Sequence, residues 1–467
     1  MFTSRIFYSF FLLSIISFVI SGYIIGLPEL MAPDSATYLN GSPRRTVGYP
    51  IFLKVVGWLN PSYSLLPMIQ TLVYSFAAAF LVYSYSRFIK NQYLNYLFIV
   101  TLSLNPIIWI YNGQLLAESL FMSLTMFCLG LIVNAIHSKN NSLHLILLGS
   151  IIAIMILVKP VGYAYFSIIL FILFFIKSNK VFSLLKLIFP LVIILLLASF
   201  KNYYSNGVFA TQVFGGFNLL GQVVPIMNEN DLDHEYTEIN SKIAKSVSTM
   251  TNELPSELSA WRKHFFLTAF SYNKGLSDYA IPIIFDVYDM EDSSELEKFI
   301  FLNSLAWDIS LTAIVNNPLE YARHVFSNFL GLWYLPTVTS RNELIELKNY
   351  LCSDVFSGFF TKSDCDGIIK GTQIPKNIVY LKNFIFSIIL FSSIILICFS
   401  LFRFKSISLI YSFGLFPAVM INSHHILVSL LEAGLSRYAL ATWPLLVTLA
   451  IFILYFLTLR LKKAVNL

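Results

Sequence analysis

The chain has 467 residues, of which 57% are hydrophobic and only 12% are charged, and its mean hydropathy is +0.72. These values exclude an ordinary water-soluble fold and predict a membrane protein with several spans. The net charge of +6 does not indicate a nucleic-acid partner, because the basic residues are scattered between the apolar runs and at their ends, as the positive-inside bias predicts.

Apolar runs long enough to cross a bilayer recur along the chain and predict an all-α polytopic protein with about 10 to 11 transmembrane helices. The first run, residues 6–25, is too long for the core of a signal peptide and predicts an uncleaved first span. The predicted spans are residues 5–26, 64–88, 94–111, 117–136, 145–160, 161–177, 184–200, 379–402, 406–430 and 438–459.

Positive charge predicts the orientation of these spans. The basic residues that follow or precede them on one common side are Arg87, Lys90, Lys139, Lys177, Lys180, Lys186, Arg403, Lys405, Arg460, Lys462 and Lys463. Because cytoplasmic loops carry the excess of Lys and Arg, this side is the cytoplasm, and both termini are predicted to face it.

Two segments then lie on the external side. The first is the loop 27–63, within an N-terminal transmembrane module 1–200. The second is 201–378, where acidic residues cluster and apolar residues have amphipathic spacing, which predicts a mostly helical external domain before a C-terminal transmembrane module 379–467.

One external stretch, "YARHVFSNFLGLWYLP" at 321–336, is apolar but short and contains Arg323 and His324. Counting it as a span would place the basic C-terminus outside, so it is predicted to lie on the membrane surface. Two of the four cysteines, Cys352 and Cys365, also fall in the external segment, where they would form either a disulfide or two free thiols.

The first external loop contains "PDSATYLNGSPRRTVGYP", residues 33–50. Asp34 is either the cap of a short helix "SATYL" or a catalytic acid, and spacing alone does not decide between them. Arg44 and Arg45 would ordinarily be surface or snorkelling charges. However, a paired Arg on the external side goes against the positive-inside bias, and guanidinium groups bind phosphate oxygens, so the pair favours an anionic ligand.

Glu118 and Lys159 are ionisable groups predicted at or just inside the hydrocarbon region, where burial is costly without a partner or a function. They are interpreted either as direct ligands or as members of an ion pair, Glu118 with Lys159 or with Arg45. Glu118 is also favourable at a helix N-terminus. Asp34 together with Glu118 would be a possible pair of ligands for a divalent metal, the one cofactor considered.

The segment "EAGLSRYALATWP", residues 432–444, opens the last predicted span on the external side. Arg437 again goes against the charge bias, while Tyr438 and Trp443 are interfacial aromatics or stacking residues. His424 and His425 lie within the preceding span. Because adjacent helical residues point to different faces, they indicate an intramembrane hydrogen-bond network rather than a metal site.

Transfer of a sugar from a lipid phosphate to a hydroxyl needs one base for the hydroxyl proton and cations for the departing phosphate. Hydrolysis of a simple glycoside normally needs two carboxylates instead. One loop acid, several external cations and a hydrophobic surround favour the transfer, with Asp34 facing the acceptor and Arg44 or Arg45 holding the donor phosphate.

Several stretches resemble the polytopic glycosyltransferases of the GT-C fold, in the branch with protein O-mannosyltransferases and the aminoarabinose transferases that modify lipid A. The stretches that carry the resemblance are "DSATYL", "RRTVGYPIFLKV", "LNPIIWIYNGQLLAESLFMSL", "LVKPVGY" and "SRYALATWPLL". The resemblance covers roughly residues 5–200 and 400–460.

The resemblance implies a polyprenyl-phosphate sugar as donor, catalysis on the external face of a bacterial inner membrane and inversion at the anomeric carbon. It gives Asp34 the role of general base. Arg45, Lys159 and Arg437 take the phosphate-binding role, and Tyr38 and Tyr49 shape the pocket. The acceptor would be a hydroxyl of lipid A, of a surface polysaccharide or of a secreted protein.

The chain departs from some of these relatives, because Ser35 follows Asp34 where they have a second acid. Two other functions remain open. An O-antigen-type polymerase or ligase would use a pyrophosphate-linked glycan and would have its key residues in the large external segment. A lipid-linked sugar flippase or transporter would use the external cations to recognise a head group, but the symmetric half-repeats typical of transporters are not visible.

Overall fold

The computed structural model describes residues 2–26, 29–32, 34–42, 44–138, 141–175, 179–227, 236, 239, 241–245, 280–287, 294–334, 376–402, 409–432 and 436–465. Every regular element in these ranges is a helix, so the predicted all-α class is confirmed. A helix satisfies its backbone polar groups internally, as a segment surrounded by lipid requires.

The first half of the chain contains helices of very different lengths. They are α1 Phe2–Ile25, α2 Ser35–Leu39, α3 Gly48–Leu59, α4 Leu66–Ser86, α5 Gln92–Ser103, α6 Pro106–Gly113, α7 Ala117–His137, α8 Ser142–Val158, a 3-10 helix Pro160–Tyr165, α9 Phe166–Phe175 and α10 Lys180–Asn206. The later helices are α11 Gly215–Val223, a 3-10 helix Val224–Ile226, α12 Ile281–Val287, α13 Glu295–Asn316, α14 Pro318–Tyr334, α15 Lys376–Phe402, α16 Leu409–Leu431, α17 Ser436–Leu440 and α18 Trp443–Val465.

Within the described ranges, 8 helices are long and apolar enough to cross a membrane. They are Arg5–Ile24, Leu66–Ser86, Ala117–His137, Lys180–Asn206, Leu296–Asn316, Tyr380–Phe402, Ile410–Leu431 and Trp443–Leu461. The chain is therefore a multi-pass membrane protein. Gly48–Leu59, Ser142–Val158 and Pro160–Leu173 are apolar but shorter.

Two predicted spans are not single long helices. The run 94–111 is divided between α5 and α6, because Pro106 disfavours a helical backbone in the residue before it. The run 161–177 begins within the 3-10 helix Pro160–Tyr165 and continues as α9. The predicted boundary between the spans 145–160 and 161–177 thus lies at the start of this 3-10 helix. Hydropathy alone missed the interruption at Pro106, since proline changes the backbone without making the run less apolar.

One candidate span, Leu296–Asn316 in α13, falls inside the segment 201–378 that is predicted to be external. Its length and hydropathy would allow it to cross, but they do not place it in a bilayer, so the external domain stays a prediction. The stretch 321–336 belongs to α14 as far as Tyr334. With its 17 residues, α14 is too short to count as a candidate span, and its surface location also stays a prediction.

The chain divides into two compact units, which we call unit 1 and unit 2. Unit 1 consists of Met1–Phe214, Phe391–His424 and Leu440–Leu467, and unit 2 of Gly215–Leu390 and His425–Ala439. The predicted domain boundaries at 200 and 378 stay predictions.

Helix α7 is the central helix of unit 1. In its apolar 18-residue stretch, 83% is buried inside the protein, against 22% in the corresponding stretch of α10. Helices α4 and α8 pack along α7, α1 packs along α4, and α10 packs along α8. Leu185, Phe189 and Leu197 of α10 are exposed, as expected for a peripheral span that faces lipid.

Unit 2 has a buried polar centre on α11. Gln222 is fully buried, and its Oε1 lies 2.8 Å from Nε2 of His324 and accepts from Nδ2 of Asn328 at 3.2 Å. Its Nε2 donates to the carbonyl of Ser429 at 3.3 Å. The polar residues of the stretch 321–336 are thus explained in part, because His324 is a core residue, whereas Arg323 is exposed and pairs with Glu320.

Candidate functional site

The loop 27–63, which is predicted to be external, is attached to the segment before α7. Ser35 donates from Oγ to the carbonyl of Leu115 at 2.9 Å and accepts from the N–H of Ala32 at 2.8 Å. The N–H of Leu115 donates to the carbonyl of Leu30 at 2.8 Å. Because Ser35 is fully buried, these hydrogen bonds hold its neighbour Asp34 in a defined place.

Asp34 precedes α2, yet its side chain makes no capping hydrogen bond. Its backbone is already helical, with φ −81° and ψ −12°, whereas a capping residue usually has an extended backbone that brings its side chain to the first N–H groups of the helix. Its Oδ1 instead accepts from Nη2 of Arg45 at 2.7 Å. The interpretation of Asp34 as a helix cap is therefore wrong.

The guanidinium of Arg45 has further contacts that hold it in place. Its Nε donates to Oγ1 of Thr37 at 2.9 Å, and its Cζ lies 4.7 Å from the ring centroid of Tyr38. The Thr37 hydroxyl donates to the carbonyl of Asp34 at 2.7 Å, so its oxygen is oriented to accept from Arg45. The side chains of Arg45 and Asp34 remain 27% and 24% exposed, and a ligand from solvent can reach both.

Arg44 has a different environment from its neighbour. Its side chain is exposed, and its backbone N–H donates to Oγ of Ser42 at 3.4 Å. The residue pattern alone left Arg44 and Arg45 equivalent, while the resemblance gave the phosphate-binding role to Arg45. In the structure, Arg45 pairs with the carboxylate of Asp34. Two adjacent cations in this loop attract anions from solution.

Two tyrosines extend the site inward from Arg45. The ring of Tyr38 contacts that of Tyr49 edge-on, with centroids 4.9 Å apart. Tyr49 is fully buried and donates its hydroxyl to Oε1 of Gln70 at 3.2 Å. The amide of Gln70 donates to the carbonyls of Asn112 and Gln114, each at 2.9 Å.

Gln70 was not among the predicted site residues. From α4 it joins α3 to the end of α6 and to Gln114, the residue that follows α6, and only 1% of it is exposed. The signal available in the sequence was a glutamine inside an otherwise apolar run, where an amide needs partners to offset its burial.

We call Asp34, Arg44 and Arg45 the loop cluster. Tyr49 connects this cluster with the ion pair of Glu118 and Lys159. Burial raises the pKa of Tyr49 well above its usual value, and electrostatic interactions with Tyr38 and with Glu118 raise it further, while a hydrogen bond from the backbone of Leu116 acts in the opposite direction. Glu118 therefore lies close enough to Tyr49 to act on it electrostatically. The phenol stays protonated near neutral pH and serves as a donor, not as a base.

Glu118 and Lys159 form a buried ion pair. Nζ of Lys159 donates to Oε1 of Glu118 at 3.0 Å, and their side chains are only 9% and 3% exposed. Glu118 lies in the first turn of α7, and Lys159 has an extended backbone between α8 and the next 3-10 helix, as a residue before proline prefers. Of the two ion pairs considered for Glu118, the pair with Lys159 is present.

Arg437 and Tyr438 belong to unit 2, not to the unit that holds the loop cluster. Both lie in α17, where Tyr438 is buried and the side chain of Arg437 is outside the described residues. The predicted roles of Arg437 in phosphate binding and of Tyr438 in substrate binding stay predictions.

The adjacent histidines of α16 point to different surroundings, as predicted. Nδ1 of His424 lies 3.3 Å from the hydroxyl of Tyr165. The ring of His425 meets that of Trp333 edge-on at 5.2 Å. The two imidazoles therefore do not face a common ligand position.

The described residues contain no group of three or more His, Cys, Asp or Glu that would hold a metal ion. The two carboxylates considered for a divalent ion, Asp34 and Glu118, each accept from a cationic side chain. Cys352 and Cys365 lie outside the described residues.

The loop cluster thus presents a partly exposed carboxylate, a guanidinium of fixed orientation and an exposed second arginine. The buried side chains of Tyr49 and Gln70 lie further inside the protein. A carboxylate accepts a proton, and an arginine binds phosphate through two parallel hydrogen bonds.

Comparison with protein-family models, with curated proteins and with solved structures finds no match for this chain.

Proposed function

We propose that the protein is a membrane glycosyltransferase that moves a sugar from a polyprenyl phosphate to a hydroxyl of a cell-envelope acceptor on the external face. The observation that carries the proposal is the Asp34–Arg45 pair. The pair places a base, Asp34, and a side chain that binds phosphate, Arg45, in one partly exposed loop. The side chain of Asp34 makes no capping hydrogen bond.

The reaction assigns one task to each of these groups. Asp34 takes the proton of the acceptor hydroxyl as its oxygen forms a bond to the anomeric carbon. The bond from that carbon to the phosphate oxygen breaks, and polyprenyl phosphate leaves with the electron pair. Arg45 donates hydrogen bonds to the phosphate oxygens, on which negative charge grows in the transition state. The proton on Asp34 then passes to water.

One carboxylate is enough for this reaction, because a phosphate leaves as an anion and needs no protonation. The exposed Arg44 would attract the anionic donor, and the apolar helices around the loop suit a polyprenyl chain. The resemblance to GT-C glycosyltransferases supports the same assignment, including a bacterial inner membrane, an external active site and inversion at the anomeric carbon.

The test is mass spectrometry of envelope glycoconjugates, namely lipid A, polysaccharide and secreted proteins, from a null strain of the source organism. The strain is complemented with wild type, with Asp34→Asn or with Glu29→Gln, an exposed acid of the same loop, at equal membrane levels. We expect one sugar to disappear in the null strain and to return with wild type and Glu29→Gln only. Full restoration by Asp34→Asn would favour a polymerase or a transporter.

A further inference from the structure

The side-chain amide of Gln70 is held at both of its ends. Its Nε2 donates to two acceptors, the carbonyls of Asn112 and Gln114, each at 2.9 Å. Its Oε1 accepts from the hydroxyl of Tyr49 at 3.2 Å. Only 1% of Gln70 is exposed. A buried amide that is paired at both ends has one preferred orientation, because rotation would leave a polar atom without a partner.

The donor end of Gln70 leads to the acid of the loop cluster. Gln114 is followed by Leu115, whose carbonyl accepts from Oγ of Ser35 at 2.9 Å. Ser35 is fully buried and directly follows Asp34 in the chain. The amide of Gln70 therefore fixes the backbone segment to which the neighbour of Asp34 is attached.

The acceptor end of Gln70 leads to the cation of the loop cluster. Tyr49, whose hydroxyl it binds, is fully buried. The ring of Tyr49 contacts the ring of Tyr38 edge-on, with centroids 4.9 Å apart. The ring of Tyr38 lies 4.7 Å from Cζ of Arg45. The position of the aromatic ring against the guanidinium therefore depends on the hydrogen bond between Tyr49 and Gln70.

We infer that Gln70 is a positioning residue, which sets the place of the Asp34 carboxylate relative to the Arg45 guanidinium through these two chains of contacts. The inference rests on the proposed function and extends it to a residue behind the site. The side chains of Arg45 and Asp34 are 27% and 24% exposed, and an ion pair in contact with water contributes little by itself. A displacement of about 1 Å between reacting groups can lower a rate about 100-fold.

Three substitutions separate positioning from general stability. Gln70→Met keeps the length of the side chain and removes the amide. Tyr49→Phe keeps the ring and removes only the hydrogen bond to Oε1 of Gln70. Tyr74→Phe is the matched control, because Tyr74 is also fully buried on α4 and donates its hydroxyl to a carbonyl, that of Leu102, at 2.8 Å. Leu102 belongs to α5 and not to the contacts that lead to the loop cluster.

The test combines two measurements on the same purified full-length proteins in lipid nanodiscs. The first is hydrogen–deuterium exchange of the backbone amides of Thr37, Asn40 and Arg45, which donate hydrogen bonds within the loop. The second is kcat for transfer from a polyprenyl-phosphate sugar. The proteins are wild type, the three single variants, and the double variant of Gln70→Met with Tyr49→Phe.

We expect Gln70→Met to speed exchange of these loop amides by about five- to tenfold, while the amides of the central helix α7 exchange as in wild type. Its kcat should fall by about ten- to hundredfold. Tyr49→Phe should change both quantities less and should add nothing to Gln70→Met, because the partner of its hydroxyl is already lost. Tyr74→Phe should match wild type in the loop and in kcat.

Unchanged loop exchange in Gln70→Met would overturn the inference. An equal rise in exchange throughout the chain would also overturn it, because it would show general destabilisation. Faster loop exchange with an unchanged kcat, or an equal loss of kcat in Tyr74→Phe, would contradict a role in positioning. If wild type transfers no sugar, the proposed function is wrong, and loop exchange alone then decides whether Gln70 holds the loop cluster.

Discussion

Arg45 donates from Nη2 to Oδ1 of Asp34 at 2.7 Å, across a turn that separates the two residues by 11 positions. The same guanidinium donates from Nε to Thr37, which lies one helical turn after Asp34. Asp34, directly before α2, and Thr37, within α2, therefore present an acid and a hydroxyl to a single arginine, and this arrangement defines the candidate site.

Asp34→Asn should reduce sugar transfer by about 100- to 10,000-fold, the usual contribution of a general base. The amide can still accept from Arg45 but cannot take a proton. The measurement is incorporation of labelled sugar into envelope fractions by membranes with equal amounts of each variant. Glu29→Gln serves as the control and should stay near wild type. A variant at Asp34 with at least half of the wild-type rate would remove it from the catalytic machinery.

Arg45→Lys should lower kcat/KM for the donor by about ten- to hundredfold, because a lysine cannot donate to Thr37 and to phosphate from one planar fork. Arg44→Lys keeps an exposed charge and should have a much smaller effect. Initial rates over a range of donor concentrations separate the two variants. Equal losses at both positions would mean that only the total positive charge of the loop matters.

The buried pair of Glu118 and Lys159 should respond to single and double replacement in different ways. Glu118→Gln leaves a buried ammonium without its partner and should lower the free energy of unfolding by about 3–5 kcal/mol. The double variant Glu118→Gln with Lys159→Gln should recover much of this loss. Unfolding in mixed micelles gives both values, and additive losses would show that the two charges do not interact.

Adjacent glycines of α11 offer a matched test of packing in unit 2. A Cβ on Gly216 would overlap the backbone oxygen of Asn303, whereas a Cβ on Gly215 meets nothing nearer than 3.8 Å. Gly216→Ala should therefore separate α11 from α13 and destabilise the protein by about 1–3 kcal/mol. Gly215→Ala should be neutral or slightly stabilising because alanine favours helix. The melting temperatures of the two variants check this, and equal values would contradict the close approach.

Tyr49 should contribute to alkaline instability. Its pKa is raised in the folded protein, so as the pH increases the unfolded chain loses the Tyr49 proton before the folded protein does. Its contribution to stability is then complete below the ordinary tyrosine pKa of 10.0 and declines as the pH rises above it. Tyr49→Phe should show a shallower loss of stability above this pH than wild type. Tyr93→Phe, at an exposed position, is the control, and parallel curves for Tyr49→Phe and wild type would refute the assignment.

The sequence predicted the membrane class because apolar runs of span length dominate its composition. It did not predict that Pro106 interrupts the run 94–111, since hydropathy averages over the local backbone. The residue pattern, without the resemblance, also could not choose between Arg44 and Arg45. Adjacent residues have the same spacing to Asp34 within one position, and only the conformation of the turn decides which of them faces the acid.

The pairing of Glu118 with Lys159 was one of two ion pairs that the sequence allowed. The structure contains this pair, with both side chains buried. Gln70 was missed because a single amide in an apolar run has no spacing pattern. Its partners are the carbonyls of Asn112 and Gln114, from a distant part of the chain. Such a partnership depends on tertiary packing and leaves no local signal.

The most direct test of the proposed activity is transfer by the purified protein in nanodiscs, supplied with labelled polyprenyl-phosphate sugar and with envelope extract from a null strain as acceptor. We expect wild type to label one acceptor and to release polyprenyl phosphate in equal amount, while Asp34→Asn does neither. Absence of labelling by wild type above protein-free nanodiscs, or equal labelling by Asp34→Asn, would contradict the proposed activity.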